Sequence, residues 1–85
     1  MIKVVEKEII DNEYGEVVIK LKDILDRKNI SRSKLSRITN IKYDIITKYY
    51  YNTCNNINKK TLAKLCYALD CRASNIIEYV YTNSD

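Results

Sequence analysis

The chain of 85 residues contains no His, Pro, Trp or Phe, and Gly15 is its only glycine. Without His there is no Ser–His–Asp or Cys–His nucleophile pair and no imidazole ligand for zinc. A single glycine excludes the glycine-rich loops that bind nucleotide phosphates. A chain this short forms one small core and has little material to enclose a substrate cleft around a pair of catalytic carboxylates. These absences predict that the protein is not an enzyme.

The three cysteines, Cys54, Cys66 and Cys71, are odd in number and form no CxxC pair. Their spacing does not match zinc-ligand patterns, so we expect free thiols in a reducing compartment, with Cys66 and Cys71 in the core. No apolar run approaches the roughly 20 residues of a membrane span, and the charged N-terminus lacks the apolar stretch of a signal peptide. We therefore expect a cytoplasmic protein with no metal, no cofactor and no small-molecule substrate.

Positive charge is concentrated in the middle of the chain. Residues 31–69 contain eight Lys or Arg residues and one Asp, net +7, whereas residues 1–30 have net −1 and residues 70–85 net −2. A basic segment between weakly acidic ends is typical of a surface that binds a polyanion. A solvated lysine-rich helix face is the alternative interpretation. The motifs within residues 31–69 distinguish this alternative from a polyanion-binding surface.

The first twenty residues have the pattern of β-strands. Two β-branched runs, within residues 2–10 and 16–19, flank a polar break that contains Gly15. We expect a hairpin or strand arm over residues 1–20. Because an isolated hairpin is only marginally stable in water, the arm must pack on the helices or on a partner chain, and it is the expected source of a dimer interface.

From Leu21 onward the apolar residues recur at helical spacing. This periodicity predicts five helices, at about 21–28, 32–39, 43–51, 59–69 and 73–81. Ser31 and Asn58 are expected to cap the second and fourth helices, because their side chains can accept from free N–H groups of the first turn. Asn40 is expected in the left-handed conformation, which Asn tolerates better than most residues.

The same periodicity assigns the buried face of each helix. Tyr49 is expected in the core, where it must bury its ring and find a partner for its hydroxyl group. The expected core residues, which recur three or four positions apart on each helix, are Leu21, Ile24, Leu25, Leu35, Ile38, Ile41, Ile46, Tyr49, Leu62, Leu65, Cys66, Leu69, Ile76, Ile77 and Val80.

The second and third helices, joined by a turn around Asn40 and Ile41, form a helix-turn-helix. The sequence SRSKLSRITNIKYDIITK, residues 31–48, closely resembles the lambda-repressor-like (Cro/CI-type, XRE) family, as does TLAKLCYALDC, residues 61–71, with IIEY at 76–79. The resemblance spans residues 21–79. The chain departs from the family pattern at Ser36, where Ala is usual, at Asn40, where Gly is usual, and at Tyr49, where an aliphatic residue is usual.

The resemblance implies an all-α, five-helix domain over residues 21–81, with residues 1–20 as the β arm and 82–85 as a short tail. It implies a transcriptional regulator, expected to be a repressor, that binds double-stranded DNA sequence-specifically as a homodimer on a palindromic operator. The third helix is then expected in the major groove, with the second helix crossing the backbone above it. The alternative is a protein-interaction module, such as the DNA-binding antitoxin of a toxin–antitoxin pair.

The resemblance also places the DNA contacts. For Ile45, packing between helices is an equal alternative to base contact, and for Asp44 we favour stabilisation of the helix N-terminus over a bond to cytosine. The residues expected to read bases are Lys42, Tyr43, Asp44, Ile45, Thr47 and Lys48. The residues expected to contact phosphates are Ser31, Arg32, Arg37, Tyr51, Asn52, Asn55 and Lys59.

Overall fold

The structure is a computed structural model, and it describes residues 14–81. The first four helices begin and end within one residue of their expected positions. The residues expected to form the first strand of a hairpin, 2–10, lie outside the described part of the chain. In chain order the elements are β1 (Glu16–Ile19), α1 (Leu21–Lys28), α2 (Arg32–Thr39), α3 (Tyr43–Tyr50), α4 (Lys59–Leu69), α5 (Ala73–Ile76) and β2 (Ile77–Val80).

The fifth helix is shorter than expected, and the fold is not all-α. The helix expected over 73–81 ends at Ile76, and Ile77–Val80 forms β2 instead. β2 pairs with β1 in an antiparallel two-stranded sheet, with Ile19 opposite Ile77. The run at 77–80 is short enough to suit either helical or strand periodicity, and pairing with β1 decides the outcome because each strand supplies the other's hydrogen-bond partners.

Glycine at position 15 is required by the close approach of the chain to the end of β2. A Cβ atom on Gly15 would collide with the carbonyl oxygen of Val80 and lie 2.7 Å from the Cα of Tyr81. The N–H of Gly15 donates to the hydroxyl oxygen of Tyr79 at 2.9 Å. The expected strand at 16–19 is therefore confirmed, and its partner within the described residues is the end of the helical domain.

One cluster of apolar side chains joins the helices to the sheet. Most of the expected core residues belong to it, while Leu62, Cys66 and Ile77 are only half-buried against it. Val80, also expected in the core, is half-buried in β2. The buried apolar residues are Ile19, Leu21, Ile24, Leu25, Leu35, Ile41, Ile46, Tyr49, Leu65, Leu69 and Ile76.

Ile38 was expected on the inner face of α2, and that expectation is wrong. Ile38 is 52% exposed, whereas Leu35 and Thr39, four residues apart, are the buried pair of α2. The hydroxyl group of Thr39 can be buried because it donates to the carbonyl oxygen of Leu35 at 2.6 Å. Ile38 instead lies beside Ala63 and Tyr67 of α4 along a shallow surface groove.

The described residues hold three free thiols, at Cys54, Cys66 and Cys71. Burial raises the pKa of the Cys71 thiol above its usual value. Within residues 14–81, no group of three or more His, Cys, Asp or Glu side chains is arranged to hold a metal ion. No helix of this same part combines the length and the apolar character needed to cross a membrane.

Candidate nucleic-acid interface

The N-terminus of α2 has the local structure that its sequence predicts. The Ser31 side chain caps the helix by accepting from the N–H of Lys34 at 3.0 Å. The first N–H groups of a helix have no partner within the helix, and together with the helix dipole they favour an anion. Ser31 is exposed and Arg32 is half-buried. This end of α2 can therefore bind a phosphate group.

The turn after α2 is held by two hydroxyl groups on that helix. Asn40 takes the left-handed conformation, with φ 58° and ψ 30°, as expected. The Ser36 hydroxyl donates to the carbonyl oxygen of Ile41 at 2.6 Å, and the Thr39 hydroxyl accepts from the N–H of Ile41 at 3.3 Å. Both backbone groups of buried Ile41 are thus satisfied, and the turn fixes the direction in which α3 starts.

α3 has one buried face and one exposed face. Ile46 and Tyr49 are 0% and 2% exposed, whereas Lys42, Asp44 and Lys48 are exposed to solvent. The exposed residues all belong to the set expected to read bases. This distribution leaves polar and charged groups of α3 available on the surface.

Tyr49 occupies the core with its hydroxyl group satisfied. The N–H of Asn58, the N-cap of α4, donates to the Tyr49 hydroxyl oxygen at 3.2 Å. Burial raises the pKa of Tyr49 above its usual value, and the N–H of Asn58, which favours the tyrosinate, offsets only part of that effect. The bond joins the end of α3 to the beginning of α4.

Arg32 lies among three aromatic rings at the surface between α2 and α3. Its guanidinium carbon is 5.4 Å from the ring centre of Tyr43, 4.9 Å from that of Tyr50 and 5.2 Å from that of Tyr51. The same guanidinium donates to the hydroxyl oxygen of Thr47 at 3.3 Å. We call these five residues the arginine–tyrosine cluster. Four of them were expected to contact DNA, but their mutual contact was not expected.

A second set of contacts connects α1 to the cluster through Tyr50. The Tyr50 hydroxyl donates to a carboxylate oxygen of Asp26 at 3.5 Å, and the Lys22 ammonium lies 5.9 Å from the Tyr50 ring centre. Lys22 and Asp26 form an ion pair at 3.0 Å, and the hydrogen bond and charge of Asp26 raise the pKa of Lys22. This role of Tyr50 was not expected from the sequence. The spacing of residues 43, 47 and 50, which places them on one face of a helix, is the signal that points to it.

The remaining expected contact residues fall into separate places. Ile45, Lys48 and Asn55 line one depression between α3 and the loop that follows it. The carbonyl oxygen of the Asn52 side chain accepts from the N–H of Ile19 at 2.8 Å, so this group ties the loop to β1. Arg37 and Lys59 are exposed on α2 and at the start of α4, outside both the depression and the arginine–tyrosine cluster.

The positive charge of residues 31–69 is not compensated by nearby carboxylates of the described chain. Two ion pairs occur within residues 14–81, Lys20 with Glu78 at 3.1 Å and Lys22 with Asp26 at 3.0 Å. Both cations precede residue 31, so none of the eight basic residues of the basic segment takes part in either pair. Their charge is therefore available to an anionic partner.

Comparison with known proteins agrees with this architecture. A search of the structures that have been solved finds a crystal structure of the transcriptional regulator VanUg with a TM-score of 0.66. The two chains are 21% identical, and the match covers 89% of this chain and 100% of the other, which shows a shared fold. No curated protein matches the sequence. The family model of the Cro/C1-type HTH DNA-binding domain matches residues 20–81. Because that match spans well over half of the chain, the protein belongs to the family of Cro/C1-type helix-turn-helix DNA-binding domains.

Proposed function

We propose that the protein is a transcriptional regulator that binds double-stranded DNA sequence-specifically, with α3 in the major groove. The observation that carries the proposal is the set of basic residues in 31–69, which form no ion pair within residues 14–81. α3 lies in the middle of this basic segment, with its polar residues Asp44 and Lys48 exposed and Ile46 and Tyr49 buried on its other face. A rigid helix with free polar groups, flanked by uncompensated cations, suits the groove and backbone of duplex DNA.

The phosphate contacts in this proposal come from the groups around α3. Ser31 and Arg32 offer the N-terminus of α2, and Arg37 and Lys59 offer exposed cations on α2 and α4. Contacts of this kind fix the register of the protein on the duplex without reading its sequence. Tyr51, Asn52 and Asn55 complete the proposed set, with the amide nitrogen of Asn52 as its contacting group because the side-chain oxygen is engaged by Ile19.

The base contacts in this proposal come from α3 itself. Lys48 is exposed and donates to guanine acceptors at the edge of a base pair. Lys42 and Tyr43 stand at the start of the helix, and Thr47 lies half-buried beside Arg32. Ile45 is half-buried against the core cluster, which supports its packing role. Asp44 lies in the first turn of α3, where a carboxylate stabilises the positive end of the helix dipole.

The proposal includes assembly into a homodimer on a palindromic operator and action as a repressor. A single recognition helix reads only a few base pairs, and a two-fold dimer doubles the site by placing two such helices about 34–36 Å apart. The apolar residues of positions 1–10 are the proposed contact between the two chains. Repression follows from occupancy, since a dimer bound across a promoter excludes other proteins from the same duplex.

Selection of bound fragments from a library of random-sequence duplexes tests the proposed function. We expect enrichment of one two-fold symmetric motif, with half-sites about one turn of DNA apart. Binding to the enriched duplex is expected to weaken steeply with salt, by about 0.9 log units per log unit of salt for each phosphate contact. Absence of any enriched motif, or an affinity independent of salt, would contradict the proposal.

A further inference from the structure

Arg32 has two kinds of contact in the arginine–tyrosine cluster, and they use different parts of the guanidinium group. Its contacts with the rings of Tyr43, Tyr50 and Tyr51, at 4.9–5.4 Å, involve the aromatic π systems. Its hydrogen bond to Thr47 uses an N–H donor. Arg has five N–H donors in a rigid plane, so the bond to Thr47 leaves others for a phosphate group.

The cluster limits where the guanidinium can lie. Tyr43 and Tyr50 stand on the same side of α3 as Thr47, because they are four positions before it and three positions after it. Tyr50 is held in turn by its bond to Asp26 on α1 and lies edge-on against Tyr51, with ring centres 5.0 Å apart. Three helices thus determine the position from which Arg32 donates to Thr47.

The bond from Arg32 occupies one acceptor position of the Thr47 hydroxyl group and leaves its hydrogen free. Arg cannot accept a hydrogen bond, so the Thr47 hydroxyl oxygen is the acceptor of the 3.3 Å bond. The hydroxyl hydrogen remains as the donor of that group. That hydrogen can be donated to an acceptor of the major-groove edge, which is purine N7, guanine O6 or thymine O4.

We infer that Arg32 determines sequence specificity through Thr47: it holds the Thr47 hydroxyl as a hydrogen-bond donor toward a base acceptor in the major groove. This inference rests on the proposed function, since it requires α3 to lie in the groove. It gives Arg32 a positioning role in addition to its contact with phosphate. Specificity at one base pair then depends on Thr47, which contacts the base, and on Arg32 of α2, which orients Thr47.

The change Arg32→Lys separates the two roles. Lysine keeps the positive charge for phosphate, but it lacks the planar fork that contacts the rings and Thr47 together. The probes are the duplex enriched by the wild-type protein, its variants at each base pair, and a duplex of random sequence. We expect discrimination at one base pair to fall about fivefold or more, in keeping with the loss of one oriented contact to a base. Affinity for the random duplex at the same salt is expected to change less.

Thr47→Val, which removes the hydroxyl group and keeps the shape of the side chain, is expected to lose discrimination at that same base pair. In the Thr47→Val background the further change Arg32→Lys is expected to add nothing at that position, because the group through which Arg32 acts is already gone. Thr47→Ser, which keeps the hydroxyl, is expected to preserve the effect of Arg32→Lys. Arg27→Lys, the same change on the exposed surface of α1, is the matched control.

Additive effects of Arg32→Lys and Thr47→Val at that base pair would overturn the inference, as would equal loss of affinity for enriched and random duplexes in Arg32→Lys. Thermal unfolding of each variant identifies a loss of affinity that comes from a loss of folded protein. A wild-type protein that prefers no duplex would overturn the proposed function itself. A wild-type protein with a clear preference and additive variants would overturn the role of Arg32 alone.

Discussion

Replacing Tyr49 by Phe removes a single oxygen atom from the junction of α3 and α4. The Tyr49 side chain is 2% exposed, and its hydroxyl oxygen accepts from the N–H of Asn58 at 3.2 Å. The ring is retained in Tyr49→Phe, so the apolar packing is nearly unchanged. The N–H of Asn58 loses its acceptor, and the N-cap of α4 loses its link to α3.

The size of the effect follows from the exposure of the two partners. A donor left unsatisfied in the interior lowers the free energy of unfolding by about 1–3 kcal/mol. Asn58 is exposed, so water can reach part of this site, and we expect the lower end, about 1 kcal/mol. For a domain of this size, a loss of about 1 kcal/mol lowers Tm by roughly 4–8 °C.

Thermal and denaturant unfolding of Tyr49→Phe beside Tyr67→Phe measures this loss. Tyr67 is 90% exposed on α4, and its replacement is expected to change stability by less than about 0.5 kcal/mol. Burial raises the pKa of the Tyr49 hydroxyl group, so its neutral, protonated form stabilises the fold below about pH 10. This contribution is lost as the pH rises through the folded-state pKa. The difference between wild type and Tyr49→Phe is therefore expected to shrink above about pH 10. Equal stability of Tyr49→Phe and Tyr67→Phe at neutral pH would show that the bond between Tyr49 and Asn58 does not stabilise the fold.

Three further predictions concern charge, turn and assembly. Lys59→Ala is expected to lower the salt slope of DNA binding by about 0.9, whereas Lys64→Ala, beside Ile38 on α4, leaves it unchanged; equal slopes in titrations of both variants would contradict the contact at Lys59. Asn40→Ala is expected to lower the free energy of unfolding by about 1 kcal/mol because φ is 58°, while Asn40→Gly does not; denaturant unfolding checks both, and equal losses would contradict the role of the left-handed turn. If the protein forms the proposed homodimer, deletion of residues 1–13 is expected to convert it to a monomer in analytical ultracentrifugation, and a truncated chain that remains dimeric would place the interface within residues 14–85.

Local chemistry accounts for the parts of the fold that the sequence predicts well. Ser31 and Asn58 cap helices through bonds of 3.0 Å to an N–H three residues later. Asn40 ends α2 in the left-handed conformation because it tolerates that conformation better than most residues. The partner of each of these groups lies within a few residues along the chain, so a short stretch of sequence contains the whole interaction.

The parts that the sequence does not predict depend on distant partners. Ile77–Val80 becomes a strand because it meets β1 from the beginning of the chain, and no local pattern reveals that pairing. Ile38 is exposed because Leu35 and Thr39 of α2 face the core. The hydrogen bonds of the Thr39 hydroxyl group to Leu35 and Ile41 allow this polar group to be buried. Helical spacing alone is compatible with either Ile38 or Thr39 as the buried partner of Leu35.

The candidate site likewise combines features that follow from local sequence with features that depend on distant partners. The exposed residues of α3 follow from its periodicity once Ile46 and Tyr49 are placed in the core. The contact between Arg32 and Thr47 joins two helices across the turn, and its geometry depends on the crossing of α2 and α3. The link of Tyr50 to Asp26 depends likewise on the packing of α1 against α3. Residue types indicate the chemistry of the surface, and only the packed helices show which side chains act together.

Comparison of Lys48→Ala with wild type on two duplexes measures whether α3 reads base pairs. One duplex is the sequence enriched by the wild-type protein, and the other has a random sequence at the same salt concentration. In Lys48→Ala we expect binding free energy to weaken by about 1–3 kcal/mol on the enriched duplex, and by less on the random one because only the charge of Lys48 acts there. Equal losses of binding on both duplexes would contradict base reading by α3, because Lys48 would then contribute only its charge.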